Sequence, residues 1–195
     1  ICLISSATAS AQRVRDAALF VAGGALGLAA HESGHLIFDA AFGAAPGLRT
    51  VHFGPLPFFA ITHEPVSPVR EFTISSAGFW IQHASSEVIL STRPRLRHEH
   101  APLVKGILAF NVLTSVAYAG AAFATTGPDE RDTRGIALSA RVAEPWIGAT
   151  IVVPAVFDAV VVGIPIGVAA AVKHDRPLDH ALRVVSLGGI SMPTF

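Results

Sequence analysis

His31-Glu32-Ser33-Gly34-His35, set inside the apolar run of residues 17–43, decides how this chain is read. On a helix, residues four apart sit about 40° apart, so both imidazoles face one way and can bind one metal ion. Glu32 then lies about 100° round the helix, within reach of a water on that metal. Glu32 and Asp39 are the only charged residues of the run. A helix of that length measures about 40 Å, enough to cross a bilayer. An unpaired charge there costs about 2.5–3.5 kcal/mol, so ionisable groups inside such a helix are functional by default. The competing reading is a hydrogen-bonded structural cluster.

The flanking sequence extends the membrane pattern. Residues 44–70 carry Pro46, Pro55, Pro57, Pro65 and Pro68 with short β-like runs at 50–53 and 58–62. That proline density excludes a helix and suits a short β-element of edge strands. Residues 74–90 form a second helix candidate, with Gln82, His83 and Glu87 marking it as buried. Residues 103–125 and 147–172 are apolar spans, the second broken only by Asp158. Between them, residues 127–146 have mixed charges and read as a loop with a short amphipathic helix. The expected fold is an all-α polytopic membrane protein with about four transmembrane helices and a Pro-rich β-like element between helices 1 and 2. Residues 1–12 resemble the end of a signal or leader, with Ala9-Ser10-Ala11 as a small-residue cleavage site, and residues 13–195 form one domain.

Composition agrees. Of 195 residues, 51% are hydrophobic and 14% charged, against about 25% charged in an ordinary soluble domain. Fourteen basic and fourteen acidic side chains cancel, which leaves neither a basic surface for nucleic acid nor a charged tail that would keep the chain disordered. Cys2 is the single cysteine, so a metal must be held by histidine and carboxylate.

Two imidazoles call for a third protein ligand, as in catalytic zinc sites that keep one position open for water. Asp158 is the candidate, being the one ionisable group of its span, and the alternative is a protonated or hydrated aspartate. His83 and Glu87, four apart, are reserve ligands or a hydrogen-bonded buried pair. Asp39, one turn beyond His35, either orients an imidazole or ends the helix at the interface. His52 and His63 either line a cleft or are solvated, and His98, His100, His174 and His180 flank charged connectors with no catalytic part.

These residues resemble the site-2 protease family of intramembrane zinc metallopeptidases. That family carries H-E-x-x-H in one membrane helix and an aspartate ligand in a later P-x-x-L-D-G-like motif, to which Pro154-Ala-Val-Phe-Asp158-Ala159 is similar. Phe110-Asn111 resembles the family's phenylalanine-asparagine pair, and Ser76-Ala-Gly-Phe79 its alanine-glycine-proline turn. The resemblance implies an integral protein of the bacterial inner membrane, in contact with lipid, that hydrolyses peptide or membrane-protein substrates. Zn²⁺ would be held by His31, His35 and Asp158, with Glu32 as general base. Asn111 would either polarise the substrate carbonyl or tie helices together. Gly23, Gly24 and Gly27 would let helices approach closely, and the substrate would add as a strand beside residues 50–62.

Two rivals stay open. The same site would serve a lipid or small-molecule hydrolase, and a non-catalytic protein could use the motif for a structural metal or a partner helix. Counting Lys and Arg on alternate sides of four spans gives nine against five, which places both termini inside; a cleaved leader would reverse that.

Overall fold

The computed structural model describes residues 2–156, Gly54 excepted. The first helix, α1 (Cys2–Phe42), runs unbroken through the histidine motif and takes in most of the leader-like segment. It ends where Gly43 turns left-handed at φ 64°. There the Ala44 N–H donates to the Asp39 carbonyl at 2.8 Å and the Gly43 N–H to that of Ala40 at 3.2 Å, a Schellman closure. The Pro-rich segment is an antiparallel hairpin of β1 (Gly47–Phe53) and β2 (Leu56–Thr62), with Gly47 opposite Thr62 and Phe53 opposite Leu56. In a two-stranded sheet every strand is an edge, so Pro57 is tolerated opposite His52.

Helix α2 (Pro68–Thr92) starts on a proline that needs no hydrogen bond at that position, and a 3₁₀ turn (Leu96–His98) leads into α3 (Pro102–Ala124). The expected short helix in the charged segment is α4 (Asp132–Ala140), and α5 (Glu144–Val156) opens the last apolar stretch. The described chain is thus mostly helical with one small sheet, as expected. The four expected spans are not confirmed, and most of the one expected at 147–172 lies outside the described residues. Among the described residues, α3 alone is long and apolar enough to cross a membrane, and α5 is a shorter apolar helix. His31, Glu32, His35 and Asp39 dilute α1, as Gln82, His83 and Glu87 dilute α2.

Small residues set the packing. A Cβ on Gly23 would run into the Leu103 carbonyl, and one on Gly106 into that of Phe20, so α1 and α3 cross backbone to backbone. Farther along, Gly27 faces the Phe110 ring, where a Cβ would come within 2.7 Å. Gly24 has only ordinary contact, with nothing nearer than the Gly106 oxygen at 4.0 Å, so two of the three expected glycines make the approach. These pairs rise together in number, which makes α1 and α3 parallel. Gly34 against Ala77 and His31 against Gln82 make α2 antiparallel to α1. Ser76-Ala-Gly-Phe79, similar to a turn of the family but inside the helix expected at 74–90, lies within α2, where Gly78 leaves room for the two histidines.

The interior is more polar than the surface. His31, His35, Asp39, Ser76, Gln82, His83, Glu87, Asn111 and Ser115 are buried. Val21, Leu36, Ile37, Leu113, Phe123, Trp146 and Val153 are exposed along α1, α3 and α5. The buried apolar cluster, Phe79, Ile136, Ala137, Ile147 and Ile151, sits where α4 and α5 pack on α2. Charges gather at two ends. At one, His100 lies 3.1 Å from Asp16, and the Lys105 ammonium reaches the Arg97 carbonyl at 3.4 Å. At the other, Arg49 of the hairpin pairs with Glu130.

Candidate metal centre

The helical spacing of four does what geometry requires: His31 Nε2 and His35 Nε2 stand 3.3 Å apart, in residues only 2% and 5% exposed. Neither ring is free to turn. His35 Nδ1 lies 2.8 Å from the Ile74 carbonyl, an obligatory acceptor, so Nδ1 carries the proton and Nε2 presents a lone pair. His31 Nδ1 lies 3.1 Å from Gln82 Oε1. The Gln82 amide nitrogen is committed to the Asn111 carbonyl at 2.5 Å and to Ser115 Oγ at 2.6 Å, which leaves its oxygen for His31. His31 therefore also presents an Nε2 lone pair. Below the pair, α2 supplies Gly78, whose Cβ, if present, would come within 2.5 Å of His31 Nε2 and 2.7 Å of His35 Nε2.

The third donor is Asp132. Its Oδ2 lies 3.1 Å from His31 Nε2 and 3.5 Å from His35 Nε2. Asp132 is the first residue of α4, and its loop is clamped from behind. Arg131, buried, donates to both Glu144 carboxylate oxygens at 2.6 Å each and to the Pro128 carbonyl at 2.8 Å. Thr133 Oγ1 adds a 2.7 Å bond to Glu144. Burial raises the Asp132 pKa, but the two histidines outweigh it and hold the carboxyl well below its ordinary range.

Three donor atoms this close need positive charge among them, supplied either by a proton on the histidine–aspartate pairs or by a metal ion. Donors about 2.0–2.1 Å from a tetrahedral metal stand about 3.3 Å apart, and the three separations here bracket that value. The cluster of His31, His35 and Asp132 could therefore hold a metal ion.

Beside it is a cavity of about 30 Å³ lined by Glu32, His35, Tyr118 and Asp132 and roofed by Phe58 to Ile61 of β2. That is room for a water molecule. Glu32 is half-buried and has no hydrogen bond to protein among the described residues, so its carboxylate is free for such a water.

The other expected site residues fall elsewhere. Asp158 lies outside the described residues. Asn111 is buried between α2 and α3, its Nδ2 at 3.0 Å from the Gln82 carbonyl and 2.9 Å from the Ser85 and Ser86 hydroxyls, and so links the two helices. His83 and Glu87, the reserve ligands, are buried but stand apart from the cluster. His63 pairs with Glu71 at 3.4 Å. Asp132 went unremarked in the sequence because Asp129-Glu130-Arg131-Asp132 has the composition of a solvated loop, and no spacing links it to the histidines. The available signal was its place at a helix start directly after a long apolar span. No family model matches the chain, and no curated protein or solved structure matches it.

Proposed function

We propose that this protein is a membrane-embedded zinc metallopeptidase, similar to the site-2 protease family, that cleaves a peptide bond in or near the bilayer. The observation that carries this is the convergence of two imidazole lone pairs and a carboxylate within 3.5 Å, with Glu32 and a water-sized cavity alongside. Nitrogen and oxygen donors at these separations suit zinc. The inverted surface supports the membrane setting: a polar interior under exposed Val, Leu and Phe is costly in water and natural in lipid.

His31, His35 and Asp132 would hold the ion. A zinc ion held there would supply Lewis acidity, lowering the pKa of a water to about 7. Glu32 accepts the proton of the attacking water in the small cavity and returns it to the leaving amine. Tyr118, whose hydroxyl meets Asp132, also lines that cavity and would donate to the oxygen of the attacked carbonyl. Gln82 and the Ile74 carbonyl keep both imidazoles in the ligating tautomer. Phe58 to Ile61, over the site, offer the strand beside which an extended substrate would lie.

The test is metal analysis and hydrolysis on protein purified in detergent. About one zinc per chain is expected, lost in His31→Ala and His35→Ala. Glu32→Gln should keep the metal and lose about 10²–10⁴-fold in peptide hydrolysis. Full zinc in the double histidine variant, or undiminished hydrolysis by Glu32→Gln, would refute the proposal. Release of fatty acid from phospholipid with no peptide cleavage would transfer the site to lipid hydrolysis.

A further inference from the structure

A second cavity of about 330 Å³ opens beside the centre, between α1, α3 and β2. It reaches the range of ligand pockets. Leu28, Phe110, Leu113, Ala117 and Ala121 make its walls mostly apolar, and its polar lining is His31, Glu32, Thr114, Tyr118 and Arg131, whose guanidinium is committed to Glu144. Glu32 and Tyr118 also line the water-sized cavity, so the two spaces meet at the groups assigned to the chemistry.

From this juxtaposition we infer that the larger cavity is a specificity pocket, which takes a large apolar side chain of the substrate residue adjoining the scissile carbonyl. The inference rests on the peptidase reading above. A carbonyl carbon attacked between Glu32 and Tyr118 has its own Cα about 1.5 Å away, so the side chain on that Cα must go into adjoining space. The apolar cavity is that space. A leucine- or phenylalanine-sized group fills it favourably, whereas a charged one would lose its water against Leu28, Phe110 and Leu113. Leu113, which lines the cavity, is 67% exposed on α3. An apolar side chain therefore reaches the pocket from the same apolar surface that the proposed setting gives to lipid.

The test uses two metal-chelating hydroxamates and zinc-loaded protein in detergent, read by calorimetry and not by turnover. Acetohydroxamate engages the metal alone; 4-methylpentanohydroxamate adds an isobutyl-bearing chain next to the carbonyl. The branched compound should bind at least about tenfold more tightly, the gain for burying a group of that size. Ala117→Leu, at an exposed position whose new side chain occupies the cavity, should reduce the affinity ratio to within about threefold, and Thr114→Leu should do the same. Equal affinities for wild type, or a tenfold ratio that survives in both variants, would overturn the pocket while leaving the metal site standing. Failure of both hydroxamates to bind zinc-loaded wild type would overturn the metal site, and the pocket with it.

Discussion

Asp132 and Asp39 are two aspartates near the same histidines, and they are handled in opposite ways. Asp132 faces both imidazoles, and the Arg131–Glu144 clamp supports the residues on either side of it. Asp39 is 0% exposed, one helical turn past His35, and neither of its carboxylate oxygens meets a hydrogen-bond partner among the described residues. Burial alone therefore does not mark a ligand. A carboxylate becomes one when a second element aims it and other groups give it a counter-charge. α4 and α5 aim Asp132 at the two imidazoles, whereas Asp39 stays on the histidines' own helix with no hydrogen bond to its carboxylate among the described residues.

The largest expected effect tests that distinction at the metal. Asp132→Asn keeps the shape but removes the anionic donor, and zinc affinity should fall by more than about 100-fold, beyond the 10–100-fold typical of groups that only orient a ligand. Asp158→Asn should leave zinc affinity within about threefold. Competition with a chromogenic chelator measures both. If Asp158→Asn empties the site and Asp132→Asn does not, the third ligand is the one expected from the sequence.

Gln82→Met comes next. It retains the length of the side chain but removes the oxygen that sets the His31 tautomer, and zinc affinity should fall about 10–100-fold. Ser115 and the Asn111 carbonyl also lose their Gln82 donor in this variant, so helix content is checked alongside. Unchanged affinity would mean that His31 is oriented by packing against Phe79, whose ring lies 5.3 Å away edge to face.

What could be read from the sequence follows how local each feature is. The histidine pair and Glu32 depend on one helix's own period, so the spacing suffices. The hairpin was legible because prolines exclude a helix and a short β-like run lies on either side of Pro55 and Pro57. The end of α1 at Gly43 needs only a left-handed glycine. Asp132 depends on α4 and α5 folding back against α2, a non-local event with no periodic trace in Asp129-Glu130-Arg131-Asp132. Asn111 was legible as a buried polar group but not in its role, which rests on Gln82, Ser85 and Ser86 of another helix. Spans are hard to recognise in α1 and α2 for a related reason. The residues that build a polar interior lower the hydropathy by which spans are recognised.

The clamp predicts an acid sensitivity. Burial raises the Glu144 pKa, but hydrogen bonds from Arg131 and Thr133 outweigh it and hold it below the ordinary 4.5. A carboxylate with a lowered folded pKa stabilises the fold above the unfolded value, and that contribution is lost as pH falls through the folded value. Asp132, also depressed, has the same sign. The Glu144 contribution, read as the difference in thermal unfolding between the metal-free wild type and Glu144→Gln, should therefore be level from pH 7 to about pH 5 and decline below about 4.5. Glu144→Gln, which leaves the buried Arg131 without its counter-charge, should start about 3–5 kcal/mol less stable and decline less steeply with acid. Parallel curves for the two proteins would remove Glu144 from the acid response.

The smallest effect is expected at Asp39. A buried carboxylate without hydrogen-bond partners contributes no contact that a substitution could break, and in ionised form it carries the cost of leaving water. Asp39→Asn keeps its volume and removes the charge. Stability should stay level or rise by about 1 kcal/mol, and zinc affinity should stay within about threefold. Matched unfolding and chelator titrations of Asp39→Asn and Asp132→Asn would show it. If Asp39→Asn instead weakens zinc about tenfold or more, the carboxylate acts on His35 from one turn away. The two aspartates would then belong to one centre, and the contrast between them would be of degree.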